Sequence, residues 1–125
     1  MSRSVVIADD DADIRELVRI SAMKAGLTVV ADVEDGLAAW AAIRDNAPDL
    51  AILDVAMPGL TGIEICQRVR AVDSLASVRI LLLSAAVDEA SRQRGVEAGA
   101  NDYIVKPFSP RELVTRLSAS GEGAR

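Results

Sequence analysis

The 125-residue sequence contains no histidine. This absence excludes zinc sites with histidine ligands, Ser-His-Asp catalytic triads and any phosphohistidine supplied by the chain itself. A single cysteine, Cys66, excludes a disulfide framework and is typical of a protein from a reducing compartment. We expect Cys66 to be a small buried side chain on a helix.

Aromatic residues and long hydrophobic runs are also scarce. Half the residues are hydrophobic, but only Trp40, Tyr103 and Phe108 are aromatic, so valine, isoleucine, leucine and alanine must build the core. The first apolar run is too short for a signal peptide, and no run reaches membrane-spanning length. A net charge of −5 argues against a nucleic-acid-binding surface. We therefore expect a cytoplasmic protein that binds neither membrane nor nucleic acid directly.

Apolar runs alternate five times with helical patterns, which predicts the α/β class. Most of the runs lack polar alternation and so predict parallel strands buried on both faces. Short connections and right-handed crossovers then give a doubly wound (βα)5 fold with helices on both faces of the sheet. The runs lie at residues 4–8, 27–33, 49–54, 78–84 and 102–106.

Helix-capping residues support this assignment. Thr61 and Glu64 form a capping-box pattern at the third helix, and Ser109 and Glu112 form another at the fifth. Asp11 stands just before the first helix, where an N-cap is its ordinary role. The chain reads as one domain over residues 1–119, and residues 120–125 read as a small, polar tail or the start of a linker.

Polar side chains occur where the predicted strands end. Asp9 and Asp10 follow the first strand, Asp54 ends the third, Ser84 the fourth and Lys106 the fifth. If the strand order is 2-1-3-4-5, the first and third strands flank the point where the order reverses, and the three carboxylates converge there. Such carboxylates repel, so either one stays protonated or a cation lies among them. Oxygen ligands alone favour a hard divalent ion, with Mg²⁺ first.

This set of groups suits phosphoryl transfer. That chemistry needs a nucleophile, a metal that neutralises phosphate oxygens, and further positive charge around the phosphoryl group. Asp54 would be the nucleophile and would form an acyl phosphate. Lys106 and the hydroxyl of Ser84 would face the phosphoryl oxygens.

The sequence resembles the receiver domains of bacterial two-component response regulators. The resemblance covers roughly positions 4 to 119 and depends on four segments in order at suitable spacing, which is a strong signal. The segments are VVIADDDADIREL, PDLAILDVAMPGLTGIE, ILLLSA and GANDYIVKPFSPREL. The resemblance implies a flavodoxin-like fold with strand order 2-1-3-4-5.

The resemblance also implies roles for the acidic residues. Asp54 would accept phosphate from a histidine on a sensor kinase or phosphotransfer protein. Asp10 would bind Mg²⁺ directly, together with Asp54 and the backbone carbonyl of Ala56. Asp9 would hold the metal through water. The chain would then be a phosphorylation-controlled signalling switch and not an enzyme with a separate substrate.

The remaining residues of the resemblance concern the switch. Ser84 and Lys106 would bind phosphoryl oxygens, Tyr103 would be the switch aromatic that turns inward, and Pro107 would follow a cis peptide bond. The changed surface of the fourth helix, fifth strand and fifth helix would control an output partner or effector domain. That surface carries mixed charges and resembles the winged-helix transcription-factor subgroup, which favours a homodimer; the charged residues are Arg94, Glu97, Asp102, Arg111 and Arg116.

Three alternatives use the same architecture. An Mg²⁺-dependent phosphatase with an aspartyl nucleophile would need a second acid two residues on, where Ala56 stands. A flavin-binding module would need a phosphate-binding loop after the first strand, where acidic residues would repel the cofactor. A degenerate receiver could act as a scaffold, but the acidic set with Ser84 and Lys106 is intact.

Overall fold

The computed structural model describes residues 3–123, and the side chains of residues 3–118. Strands and helices alternate along it, with one 3₁₀ turn, Asp73–Leu75, before the fourth strand. The strands are β1 (Ser4–Ala8), β2 (Thr28–Val33), β3 (Leu50–Asp54), β4 (Arg79–Ser84) and β5 (Asp102–Val105). The helices are α1 (Ala12–Lys24), α2 (Gly36–Asn46), α3 (Gly62–Arg70), α4 (Glu89–Ala98) and α5 (Pro110–Gly123).

The strands form one parallel sheet in the order β2-β1-β3-β4-β5, which confirms the predicted topology. The strand order reverses between β1 and β3. In that pair Ala8 lies opposite Leu53, so Asp9 and Asp54 follow at the same edge of the sheet. Ser84 lies opposite Val105, which brings Lys106 to this edge as well.

Each face of the sheet buries its own apolar cluster. Alternate strand residues such as Ile7 and Ile52 pack with Val18 of α1 and Leu113 of α5. The intervening residues pack on the opposite face with α2, α3 and α4, where Cys66 is fully buried as predicted. Burial raises the pKa of the Cys66 thiol to about 11, so the thiolate is scarce at neutral pH.

Burial on both faces, which the sequence predicted for most of the runs, does not hold for β2. This strand alternates between exposed and half-buried residues. The sheet order explains this difference, because β2 lies at the edge and pairs only with β1. Its register with β1 also shifts between Val5 and Val6, an irregularity of the kind that protects sheet edges from unwanted pairing.

The predicted helix starts are present. The Asp11 side chain caps α1 by accepting from the backbone N–H groups of Asp13 and Ile14. Thr61 and Glu64 make both hydrogen bonds of a capping box, and Ser109 Oγ accepts from the N–H of Glu112 at 3.0 Å. Helix α5 continues through Gly123, past the expected domain boundary at residue 119, and residues 124–125 of the expected tail lie outside the described part of the chain.

Arg70, the last residue of α3, joins several elements at the edge of the sheet opposite the acidic residues. Its guanidinium donates to the carbonyls of Val78 at 2.7 Å, Gly99 at 2.9 Å and Ala76 at 3.2 Å, and to Asn101 Oδ1 at 2.9 Å. Asn101 Oδ1 also accepts from the N–H of Ile80. One side chain therefore fixes the starts of β4 and β5 relative to α3 and α4.

We expect Arg70→Met to lower the free energy of unfolding by about 2 kcal/mol, because several charge-assisted hydrogen bonds to backbone carbonyls are lost together. Urea denaturation followed by circular dichroism would measure this change. Arg92→Met, at an exposed position of α4, removes the same charge and serves as the control. Equal midpoints for the two variants would show that the Arg70 hydrogen bonds contribute no net stability.

Candidate functional site

Three carboxylates meet at the carboxyl edge of β1 and β3. Asp9, Asp10 and Asp54 each offer an oxygen, and these oxygens all lie within 4.8 Å of one another. Asp9 is fully buried and Asp54 nearly so, whereas Asp10 is exposed. The structure thus brings together the acidic residues that the sequence predicted, with one face open to solvent.

Lys106 supplies the positive charge of this site. Its Nζ lies 2.9 Å from Asp9 Oδ2 and 3.3 Å from Asp54 Oδ1. The lysine is positioned by β5, whose ladder with β4 is extended by a hydrogen bond from the N–H of Lys106 to the carbonyl of Ser84. The predicted cis peptide bond between Lys106 and Pro107 is present.

Backbone groups orient the two buried carboxylates. Asp9 Oδ1 accepts from the N–H of Asp11 at 2.9 Å, and Asp54 Oδ1 accepts from the N–H of Ala56 at 3.2 Å. Helix α3 starts directly behind Asp54, since a Cβ at Gly62 would lie 2.6 Å from the Asp54 carbonyl oxygen. Glycine at position 62 therefore permits a close approach that any larger residue would prevent.

The burial of these charges shifts their pKa values. Burial and the neighbouring charge of Asp9 raise the pKa of Asp54 to about 6, although Lys106 and the Ala56 N–H oppose the change. Burial lowers the pKa of Lys106, but the hydrogen bond and charge of Asp9 and the charge of Asp54 outweigh it, so the net direction is upward. Lys106 therefore stays charged, whereas the ionised form of Asp54 is destabilised.

The donor set fits a hard divalent cation. All three side chains offer oxygen, they converge on one volume, and a cation there would relieve the repulsion that raises the pKa of Asp54. Oxygen ligands with waters at an open face are the arrangement that Mg²⁺ prefers. This site could therefore hold the predicted ion, with Asp10 on the solvent side.

Ser84 and Tyr103 are linked through one residue of the loop between β4 and α4. Ser84 Oγ accepts from the N–H of Ala86 at 3.1 Å, and the Tyr103 hydroxyl donates to the carbonyl of Ala86 at 3.0 Å. Tyr103, in β5, is buried in this conformation.

Residues 5–118 match the family model described as the response regulator receiver domain. The chain belongs to this family. Membership supports a phosphorylation-controlled signalling switch of a two-component system and agrees with the resemblance seen in the sequence. The match includes residues from all five strands of the sheet and the three acidic residues of the site.

Curated relatives of this receiver domain include transcriptional regulators. The phosphate regulon transcriptional regulatory protein PhoB of Pseudomonas aeruginosa is 40% identical over 119 residues, covering 95% of this chain and 52% of PhoB. The DNA-binding response regulator MtrA of Mycobacterium tuberculosis is 41% identical over 119 residues, covering 95% of this chain and 50% of MtrA. The chain therefore spans about half the length of the curated relatives it matches.

Solved structures agree with the fold of this receiver domain. The signal receiver domain of the putative response regulator NarL from Mycobacterium tuberculosis has a TM-score of 0.89 at 31% identity, and 98% of each chain is covered. The chemotaxis response regulator CheY4 of Vibrio cholerae has a TM-score of 0.89 at 32% identity, covering 96% of this chain and 99% of CheY4. Within residues 3–123, no helix combines the length and apolarity that crossing a membrane requires.

One contact of the site was not predictable from the sequence. Arg15 of α1 places its Nη1 2.8 Å from the carbonyl oxygen of Asp9. A contact with a backbone carbonyl leaves no residue-type signature in the sequence. The only available signal was a cation in the second turn of the helix that follows the acidic pair.

Proposed function

We propose that Asp54 of this receiver domain accepts a phosphoryl group from the phosphohistidine of a sensor histidine kinase or phosphotransfer protein. The observation that carries this proposal is the convergence of the Asp9, Asp10 and Asp54 oxygens within 4.8 Å, with Lys106 in contact with two of these residues. Asp10, Asp54 and the carbonyl of Ala56 would bind Mg²⁺ directly, and Asp9 would bind it through water.

In the transfer step an Asp54 carboxylate oxygen attacks phosphorus, an O–P bond forms and the N–P bond of the phosphohistidine breaks. The imidazole leaves with the bonding electron pair. Bound Mg²⁺ would neutralise charge on the phosphoryl oxygens. The Lys106 ammonium, 3.3 Å from Asp54 Oδ1, would bind a phosphoryl oxygen, as would the Ser84 hydroxyl.

The phosphoryl group adds about two negative charges and three strong acceptors. If Ser84 moves to donate to one of these oxygens, its bond from the Ala86 N–H must break or change. The carbonyl of Ala86 accepts a hydrogen bond from the Tyr103 hydroxyl, so a change at Ala86 reaches β5 and α4. Phosphorylation would then shift the population between two packings of the α4-β5-α5 face.

The α4-β5-α5 face is the proposed contact for a second copy of the chain, an output partner or an effector domain. Its charges are not all free in this conformation: Arg116 pairs with Asp102 at 2.7 Å, and Arg94 donates to Ser91 Oγ at 2.8 Å. Val96 on α4 is an exposed large hydrophobic residue that a partner would cover. We place the switch in the cytoplasm, in keeping with its free Cys66.

Incubation with a small phosphodonor such as phosphoramidate, with and without Mg²⁺, tests the acceptor. We expect intact-mass analysis to show Mg²⁺-dependent addition of one phosphoryl group to the wild type and none to Asp54→Asn. Asp11→Asn is the matched control, because Asp11 belongs to the same acidic run but caps α1.

Labelling that persists in Asp54→Asn would assign the acceptor to another residue. Continuous turnover of a phosphomonoester by the wild type would instead favour the alternative of a phosphatase. If the wild type is not labelled at any Mg²⁺ concentration, the alternative of a degenerate receiver that acts as a scaffold is favoured.

A further inference from the structure

Arg15 lies in the second turn of α1 and is half-buried beside the acidic pair. Its Nη1 donates to the carbonyl oxygen of Asp9 at 2.8 Å. The N–H of Asp9 is held separately, since it donates to the carbonyl of Val33 in β2 at 3.1 Å. β1 ends at Ala8, so Arg15 fixes a carbonyl that lies beyond the strand.

The carbonyl of Asp9 belongs to the peptide that joins Asp9 to Asp10. Because that peptide is planar, its orientation governs the directions in which the two side chains leave the backbone. Asp9 turns inward, where its carboxylate accepts from Lys106 and from the Asp11 N–H. Asp10 stays exposed at the rim of the site, yet its oxygen remains within 4.8 Å of the others.

We infer that Arg15 is a positioning residue for Mg²⁺: by holding the Asp9 carbonyl it keeps the Asp9 and Asp10 carboxylates in the arrangement that receives the cation. This inference deepens the proposed function and rests on its metal site. The Arg15 side chain has no oxygen to offer as a metal ligand, so it would act through the backbone of Asp9.

The charge of Arg15 and its contact with the Asp9 carbonyl have opposite effects on Mg²⁺ affinity. A guanidinium near a cation site repels the cation, so charge alone would make Mg²⁺ bind more tightly once Arg15 is removed. A surface cavity of about 320 Å³ places Arg15 together with Asp32, Glu34 and Asp35, whose carboxylates offset part of this repulsion. Positioning and charge therefore predict opposite signs for the same substitution.

Calorimetric titration with Mg²⁺ alone, without a phosphodonor, separates the two effects. We expect Arg15→Met to weaken Mg²⁺ binding about 10-fold, as is usual when a group that orients metal ligands is removed. Arg15→Lys keeps a donor of similar reach and should stay within about 3-fold of wild type. Arg19→Met is the matched control, since Arg19 lies one turn further along α1 and pairs with Glu16 at 2.6 Å.

Tighter binding by Arg15→Met would show that Arg15 acts only through its charge, and unchanged binding would show that it does not act on the site; either result overturns the inference. Thermal unfolding without metal checks that each variant is folded. Arg15→Gln, whose amide falls short of the Asp9 carbonyl, is titrated in parallel so that the result does not depend on one substitution. A wild type that binds no Mg²⁺ would contradict the proposed function instead.

Discussion

Asparagine in place of Asp54 is expected to stabilise the metal-free domain by about 3 kcal/mol near pH 7.5. Burial and the charge of Asp9 raise the pKa of Asp54 from 3.8 to about 6. Each unit of pKa shift corresponds to about 1.4 kcal/mol, so the ionised carboxylate makes folding less favourable by about 3 kcal/mol in total. Asparagine keeps the size of aspartate and carries no charge.

The pH dependence of this gain has a definite sign. An acid whose pKa is raised by folding binds its proton more tightly in the native state, so its unfavourable contribution grows as pH rises from 3.8 to about 6 and is then constant. The advantage of Asp54→Asn should therefore shrink to about 1 kcal/mol near pH 4.5. Urea denaturation at both pH values measures it.

Two comparisons make this result specific to the site. Asp45→Asn, at an exposed position of α2, should change stability little at either pH. Mg²⁺ in excess should stabilise the wild type, since a ligand that binds only the native state favours that state. It should thereby reduce the difference in free energy of unfolding between wild type and Asp54→Asn. If Asp54→Asn is no more stable than wild type at pH 7.5, the charge of Asp54 does not destabilise the metal-free domain.

Much of this site was predictable because strand ends are visible in the sequence. The apolar run before Asp54 sets where β3 ends, and the run before Asp9 does the same for β1. Their convergence requires the strand order as well, which no local pattern contains and which the resemblance to receiver domains supplied. The structure has this order, and register then aligns Ala8 with Leu53.

What the sequence did not reveal depends on contacts with backbone or on position within the sheet. Arg15 binds the Asp9 carbonyl, Arg70 binds the carbonyls of three loop residues, and the Tyr103 hydroxyl binds the Ala86 carbonyl. Every residue type has such a carbonyl, so no spacing of side chains indicates the pairing. The exposed alternation of β2 likewise follows from its edge position and not from its composition.

Lys106→Met should have the opposite effect to Asp54→Asn and should destabilise the domain by about 3 to 5 kcal/mol near pH 7.5, as is usual when one partner of a buried ion pair is removed. Lys106 Nζ lies 2.9 Å from Asp9 Oδ2, and Asp9 is fully buried. Without the ammonium, the buried carboxyl groups of Asp9 and Asp54 have no compensating cation in this desolvated site.

Acid should restore part of this stability, because protonation of Asp54 removes one of the two uncompensated charges. Asp54→Asn should also stabilise the Lys106→Met background by at least about 1 kcal/mol more than it stabilises wild type, since Lys106 no longer offsets the charge of Asp54. Lys24→Met, in the exposed last turn of α1, is the matched control for loss of a lysine. Denaturation of the four proteins in this cycle gives the coupling free energy directly. Strict additivity would mean that Lys106 and Asp54, 3.3 Å apart in the structure, do not interact in solution, and the electrostatic basis for the proposed phosphoryl site would be lost.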